Sequence, residues 1–167
     1  MPEAPQLSIV IPVFNEEASL PDLFARLYPA LDALGRSYEV IFVNDGSRDG
    51  SAALLDALAQ RSDRLVVVHL SRNFGHQAAI AAGIDHASGD WIAVMDGDLQ
   101  DPPEEIPRLL EKALEGFDVV YARRVNRKEG LILRACYAAS YRLIASLSDI
   151  RIPLDSGDFA VLSRRVA

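Results

Sequence analysis

Cysteine is almost absent from this sequence: the 167 residues contain one, Cys136. A single thiol excludes an internal disulfide framework and is consistent with a reducing compartment. No uncharged apolar run reaches the roughly 18 residues that a membrane-spanning helix needs, so none is predicted. The N-terminus lacks a basic region followed by an apolar core, so no secretory signal peptide is predicted either.

Several common catalytic and binding motifs are also missing. No G-x-G-x-x-G follows the first apolar run, and no G-x-x-x-x-G-K-[ST] occurs, which argues against a dinucleotide site and a P-loop. The patterns C-x-x-C, H-E-x-x-H and G-x-S-x-G do not occur, which argues against a zinc site and a serine hydrolase. Any chemistry must therefore come from less standard groups of side chains.

The net charge of −7 is divided unevenly along the chain. Residues 1–120 contain 8 basic and 20 acidic side chains, whereas residues 121–167 contain 9 and 4. Nucleic acid is not expected to bind an acidic body without clustered basic and aromatic residues. The basic end could face an anionic substrate or an anionic membrane surface, and it could equally be an ordinary solvated charge distribution.

Apolar patterning predicts strands that alternate with helices. Half of the residues are hydrophobic, and the length is that of one globular domain. The predicted strands are 7–14, 38–43, 65–70, 91–96 and 118–122, and the predicted helices are 20–34, 51–61, 78–87 and 104–115. Such alternation indicates an α/β fold with a mostly parallel central sheet flanked by helices. Pro12 is predicted to fray the first strand, because proline cannot donate to a ladder.

Beyond these elements, residues 131–147 are predicted to form an apolar helix, either in the core or at an interface. Cys136 lies within it and is predicted to be a small core residue. Residues 159–162 are predicted to form a short strand.

Polar clusters follow the carboxyl ends of four predicted strands: Asn15-Glu16, Asn44-Asp45, Arg72-Asn73 and Asp96-Gly97-Asp98. In open parallel sheets, ligands bind at that edge. Asp96 and Asp98 lie two residues apart, so on extended backbone both would face one side, where two carboxylates repel or share a cation. A D-x-D pair followed by prolines is also typical of a plain strand-to-helix turn.

Six stretches resemble the family 2 glycosyltransferases of GT-A fold. They are IVIPVFNEE (9–17), FVNDGSRDGS (42–51), LSRNFGHQAAIAAGIDHASGD (70–90), VMDGDLQDPPEEIP (94–107), VVYARRVNR (119–127) and IPLDSGDFAVLSRR (152–165). The last three are more narrowly similar to polyprenyl-phosphate sugar transferases, the relatives of dolichyl-phosphate mannose synthase and the bactoprenol glucosyltransferases. The resemblance implies an inverting, metal-dependent enzyme that moves a hexose from a UDP- or GDP-sugar to undecaprenyl or dolichyl phosphate.

The resemblance also implies roles for individual residues. The nucleotide-sugar would be bound by Pro12, Phe14, Glu16, Asp45, Asp96 and Gly97, and Mg²⁺ or Mn²⁺ would be bound by Asp96, Asp98 and Gln100. Arg124 and Arg127 would bind the phosphate of the acceptor, for which arginine is well suited. Asp98 and Asp158 would be the catalytic carboxylates. Asp158 is expected to orient the acceptor or sugar, with proton removal as the alternative.

In two respects the chain departs from the resemblance. Ala160 stands where many relatives have arginine, which puts one phosphate contact in doubt. The family continues into interface helices and two transmembrane helices, so 1–167 is expected to be a single catalytic domain that ends before them.

The resemblance further implies a catalytic domain at the cytoplasmic face of a membrane in cell-envelope synthesis. It would dock through that missing region and could form a homo-oligomer. Two alternatives stay open: a soluble family 2 transferase with a saccharide acceptor, and a non-catalytic fragment that binds a nucleotide sugar. Processive polysaccharide synthesis is not predicted, since no Q-x-x-R-W pattern occurs.

Overall fold

The computed structural model describes residues 4–123 and 156–167. Six strands lie in this part of the chain: β1 (Leu7–Val13), β2 (Tyr38–Asn44), β3 (Leu65–His69), β4 (Trp91–Val94), β5 (Val119–Arg123) and β6 (Ser156–Ser163). The described helices are α1 (Leu20–Asp32), α2 (Ser51–Ala59), α3 (His76–His86) and α4 (Ile106–Leu114), and a 3₁₀ turn at Pro103–Glu105 precedes α4. The predicted helix 131–147, Cys136, Arg124 and Arg127 lie outside the described residues.

The strands form one sheet in the order β3-β2-β1-β4-β6-β5. β1 pairs in parallel with β2 and with β4, and β2 pairs in parallel with β3. β6 runs antiparallel to β4 and extends beyond the predicted 159–162. The prediction of a mostly parallel sheet flanked by helices is therefore confirmed, with an antiparallel strand added beside β4.

The core forms where the apolar strands meet the helices. All seven residues of β1 are buried, as a strand covered on both faces requires. Helix α3 packs on β1 and β2, and a Cβ added at Gly83 would lie 2.3 Å from Cγ1 of Val10 and 3.1 Å from Cγ2 of Val43. The small residues of α3 thus bring the helix backbone close to the sheet, which fixes where the helix begins relative to the carboxyl ends of the strands.

Pro12 does not fray β1, contrary to the prediction. Pro12 pairs with Val43 in the parallel register, and the strand continues to Val13. The Val13 carbonyl accepts a hydrogen bond from the Asp45 amide on the β2 side, so the neighbouring Pro12 nitrogen faces the β4 side. Pairing with β4 extends only to Val10, and no donor is needed at Pro12.

Two element boundaries near the cleft differ from the predictions. β4 ends at Val94 rather than at residue 96. α3 begins at His76 rather than at residue 78, because Gly75 adopts φ +99°, which lets the chain turn sharply into the helix. Ser19 occupies the position before α1, but its hydroxyl contacts Glu16 and caps no helical amide.

The chain divides into two compact units, Met1–Tyr121 with Asp158–Ala167, and Ala122–Gly157. All of the cleft residues and Asp158 belong to the first unit. The second lies almost entirely outside the described residues, so the prediction of one domain over 1–167 stays a prediction. Among the described helices, none has the length and apolar character needed to cross a membrane.

Candidate active site

A cleft of about 290 Å³ opens at the carboxyl ends of β1, β2 and β4. The residues that line it come from the end of β1, from the loops after β1, β2, β3 and β4, and from the beginning of α3. They are Pro12, Val13, Phe14, Glu16, Asp45, Asn73, His76, Ala79, Asp96, Gly97 and Asp98. Every residue predicted to bind a nucleotide sugar is among them, as is Asp98, because parallel strands deliver their following loops to one edge.

Asp96 provides an acceptor atom without a hydrogen bond inside this cleft. Its Oδ1 is buried and accepts none, and Nε2 of His76 lies 3.3 Å from it. Burial raises the pKa of the Asp96 carboxyl above its ordinary value, and the neighbouring carboxylates act in the same direction, whereas His76 opposes them. A buried carboxylate oxygen needs a polar or charged partner, and this one accepts no hydrogen bond. A divalent cation bound to it would supply that partner.

Asp98 is exposed and lies on a turn rather than on a strand. Because β4 ends at Val94, extended backbone does not place Asp96 and Asp98 on one side, yet both line the cleft. The Gln100 amide donates to Oδ1 of Asp98 at 2.9 Å, and Leu99 between them adopts φ +63°. Gly97 fits close to β1, since a Cβ there would lie 3.4 Å from the Pro12 carbonyl oxygen.

Oxygen ligands suit Mg²⁺ and Mn²⁺, so this donor set fits the predicted cation. No group of three or more His, Cys, Asp or Glu side chains within residues 4–123 and 156–167 is arranged to hold a metal ion. Mg²⁺ characteristically takes one or two protein carboxylates and completes its shell with phosphate oxygens and water. The pair Asp96 and Asp98 therefore fits a cation that is shared with a bound diphosphate.

Asp45 is buried and organises the loop that follows β3. Its Oδ1 accepts a hydrogen bond from the Phe74 amide at 2.7 Å, and its Oδ2 accepts one from the Gly75 amide at 2.9 Å. A Cβ added at Gly46, which has φ +66°, would lie 2.5 Å from the Arg72 carbonyl carbon. Asp45 and Gly46 thus hold residues 72–75 against the end of β2, which places the start of α3 in the cleft.

Replacing Asp45 by Asn should destabilise this arrangement. One of the two backbone amides would then face an amide nitrogen instead of an oxygen, and an unmet buried donor costs about 1–3 kcal/mol. We expect the free energy of unfolding in urea to fall by about 2 kcal/mol and donor binding to weaken with it. The exposed Asp63→Asn variant is the control; equal stability of the two variants would contradict the role of Asp45.

Glu16 and Phe14 form the β1 side of the cleft. The Glu16 amide donates to Oγ of Ser51 at 2.9 Å, and the Ser19 hydroxyl donates to the Glu16 carboxylate. Phe14 is 42% exposed, so its ring offers an open apolar surface at the cleft. Such a surface is suited to stacking with a planar ligand.

Asp158 meets two residues of α3 that lie far from it in the sequence. Its Oδ2 accepts hydrogen bonds from Nε2 of His76 at 2.9 Å and from Nε2 of Gln77 at 3.2 Å. Neither His76 nor Gln77 was predicted as a site residue, although both lie in the polar stretch after the third strand. No spacing rule links residue 76 to residue 158, so sequence reasoning could find the polar stretch but not its partner.

Comparison with known protein families gives one match that spans most of the chain. The profile described as Glycosyl transferase family 2 matches residues 8–167. An "Uncharacterized glycosyltransferase YkcC" of Bacillus subtilis is 46% identical over 162 residues, which are 96% of this chain and 50% of that protein.

A second relative has a more specific name. An "Undecaprenyl-phosphate 4-deoxy-4-formamido-L-arabinose transferase" of Aeromonas hydrophila is 54% identical over 124 residues, which are 74% of this chain and 38% of that protein. The chain thus spans about half the length or less of these two relatives.

A solved structure shares the fold. Glucosyl-3-phosphoglycerate synthase from Mycobacterium tuberculosis, in complex with Mn²⁺, UDP and glucosyl-3-phosphoglycerate, superimposes with a TM-score of 0.68 at 22% identity. The superposition covers 97% of this chain and 58% of that one. At this identity the likeness shows the fold alone, and it confirms the GT-A prediction.

Proposed function

Since this chain belongs to glycosyl transferase family 2, we propose that it transfers a hexose from a nucleoside diphosphate sugar to a polyprenyl phosphate, with inversion and with a divalent cation. The observation that supports this best is the cleft at the carboxyl edge of the sheet, where Asp96, Asp98 and Asp45 meet beside an exposed aromatic ring. Relatives named undecaprenyl-phosphate transferases support the class of acceptor.

The donor fits the side of the cleft formed by β1 and β2. Pro12, Phe14 and Glu16 would line the base and ribose, and Phe14 offers the exposed ring on which a base can stack. Asp45 would hold the base as well as the loop at 72–75, since a carboxylate oxygen that accepts one hydrogen bond keeps a second lone pair. Both UDP- and GDP-sugars are compatible with this lining.

Asp96, Asp98 and Gln100 would hold Mg²⁺ or Mn²⁺ next to the diphosphate. The buried Asp96 Oδ1 without a hydrogen bond and the exposed Asp98 at the cleft support this assignment. When bound, the cation neutralises negative charge that develops on the leaving nucleoside diphosphate. The protein supplies the fixed carboxylates, and Gly97 between them lets the loop lie close to β1.

The acceptor would enter from the side of Asp158. An oxygen of the lipid phosphate attacks the anomeric carbon, the bond to the diphosphate oxygen breaks, and the nucleoside diphosphate leaves with the electron pair. A phosphate monoester has its second pKa near ~6, so it needs little general-base assistance at neutral pH. Asp158 would accordingly orient the acceptor or sugar, and Arg124 and Arg127 would bind the acceptor phosphate.

The setting of the reaction follows from the acceptor. A polyprenyl phosphate is embedded in a membrane, so the domain would work at a membrane surface, and we propose that this is the cytoplasmic face. Assembly into a homo-oligomer is part of the same proposal.

A panel of donors and acceptors tests the function. Purified protein is titrated with UDP- and GDP-sugars in a calorimeter, with and without Mg²⁺ or Mn²⁺, and then assayed with undecaprenyl phosphate and with free saccharides. We expect cation-dependent donor binding and transfer to the lipid phosphate. The absence of binding to every donor would contradict the proposal, and a preference for free saccharides would favour the soluble transferase.

A 4-substituted pentose donor belongs in the panel as a second candidate, because the Aeromonas hydrophila relative is named as a transferase of a modified arabinose. Transfer of that sugar in preference to any hexose would change the donor but not the class of reaction. Donor binding without turnover, restored in a longer chain, would indicate that residues 1–167 are a binding fragment by themselves.

A further inference from the structure

His76 lies between two carboxylates that the proposed reaction assigns to different tasks. Its Nε2 is 2.9 Å from Oδ2 of Asp158 and 3.3 Å from Oδ1 of Asp96. The imidazole therefore separates the proposed cation ligand from the proposed acceptor-side carboxylate. The ring is 43% exposed and lines the cleft, so it is not a histidine buried in the core.

A single ring nitrogen can donate only one hydrogen in good geometry. The contact with Asp158 satisfies hydrogen-bond geometry, whereas Oδ1 of Asp96 accepts no hydrogen bond. Because a carboxylate only accepts, Nε2 of His76 must hold the hydrogen and donate it to Asp158. Asp96 Oδ1 is thereby left available for a cation.

Strand β6 fixes the backbone of Asp158, so it is the side chain that depends on such a contact for a fixed position. The pairing of β6 with β4 ends at Ala160, so Asp158 lies two residues beyond the last pair between these strands. Its side chain is 44% exposed, which leaves room for several rotamers. His76 begins α3, whose close packing on β1 gives the imidazole a rigid base.

We propose that His76 is a positioning residue that holds Asp158 for the transfer step through its Nε2–H hydrogen bond. Gln77 donates to the same oxygen at 3.2 Å and supports the contact from the next position of the helix. The inference rests on the proposed function for the task of Asp158. The hydrogen bond itself can be tested whether or not the chain is active.

The first experiment determines the tautomer of the His76 imidazole directly. The protein has three histidines, so the side-chain nitrogen signals can be assigned by NMR with His76→Ala. At alkaline pH, where the ring is neutral, we expect His76 to be in the Nε2–H tautomer and to lose that preference in Asp158→Ala. His86 gives the opposite reference, since its Nδ1 donates to the Ala82 carbonyl at 2.8 Å.

The second experiment separates positioning from binding. In the donor and acceptor assay, His76→Ala should lower kcat about tenfold to a hundredfold, as the loss of an orienting partner does, and leave the donor dissociation constant within about twofold. His76→Gln keeps a donor nitrogen and should recover part of kcat. His86→Ala, at the other end of α3, should match the unaltered protein.

The outcomes distinguish this inference from the proposed function. An Asp158→Ala variant with an unchanged His76 tautomer, or a His76→Ala variant with unchanged kcat, would overturn the positioning role. If the unaltered protein transfers no sugar to any acceptor, the proposed function fails, and the NMR result still decides whether His76 holds Asp158.

Discussion

Replacing Asp98 by Ala should abolish cation-dependent donor binding. Asp98 is exposed, so its loss should not disturb the core, but it removes one of the two carboxylates offered to the cation at the cleft. Removing even an outer partner of a metal site costs about 10–100-fold in affinity, so the loss of a ligand should weaken donor binding by about 100-fold or more. Calorimetric titration of the donor with and without Mn²⁺ measures this effect.

Asp98→Asn distinguishes an effect of the negative charge of Asp98 from an effect of the turn that its side chain stabilises. The Asn side-chain oxygen can still accept the hydrogen bond from the Gln100 amide, which preserves the turn, while the negative charge is lost. If Asp98 binds the cation, both variants lose cation-dependent binding. If Asp98→Asn keeps it, the negative charge of Asp98 is not what binds the cation. Asp85→Asn, an exposed position on α3 away from the cleft, controls for a change in net charge.

The second large effect is expected for Asp158→Asn, which should lower kcat about a hundredfold with little change in donor affinity. The variant keeps the size of the side chain but removes the charge that we propose faces the acceptor. Misplacement of a reacting group by about 1 Å can cost about a hundredfold in rate, which sets the expected magnitude. Steady-state kinetics with the donor and undecaprenyl phosphate, compared with Asp90→Asn at an exposed position outside the cleft, measure it.

The pH dependence of Asp158→Asn separates the two roles considered for this residue. If the acceptor phosphate supplies its own ionised oxygen, the rate falls below pH ~6, where the second ionisation of a phosphate monoester is reversed. That acidic limb should persist in Asp158→Asn when Asp158 orients the substrate. A limb that disappears in the variant would identify Asp158 as the general base instead.

Unchanged cation-dependent binding in Asp98→Ala and unchanged kcat in Asp158→Asn would have different consequences. The first would remove Asp98 from the proposed cation site but leave the donor site. The second would leave both the donor and the cation but remove the acceptor-side carboxylate, and with it the reason for the contact with His76.

The prediction from sequence succeeded where local pattern controls structure. Buried apolar runs such as Val40–Val43 specify strands, and their alternation with amphipathic helices specifies a parallel sheet. Since parallel strands end at a common edge, the polar residues that follow them had to approach one another. The cleft residues Glu16, Asp45 and Asp96 were therefore identifiable before any coordinates, whereas Phe14 was predicted only from the family resemblance.

Prediction was less successful for the ends and the direction of strands, because these depend on the neighbouring strand. The end of β4 at Val94 and the continuation of β1 through Pro12 are decided by which side of β1 is paired at each residue. From the sequence, a proline predicts disruption of a strand. Only the register shows that the Pro12 nitrogen faces the β4 side of β1, where the pairing with β4 has already ended. The antiparallel direction of β6 likewise depends on its partner β4.

By itself, then, the sequence determined the α/β architecture and the sheet edge at which the acidic residues lie. The spacing of apolar side chains identifies strands and helices locally, and their alternation places the ends of the parallel strands at one edge. Only the tertiary structure decided which partners those residues contact. It directs both oxygens of Asp45 to the loop before α3, leaves Asp96 Oδ1 without a hydrogen bond, and brings His76 to Asp158 across 82 residues. These contacts result from the packing of α3 on the sheet and from the placement of β6, which no short stretch of sequence contains.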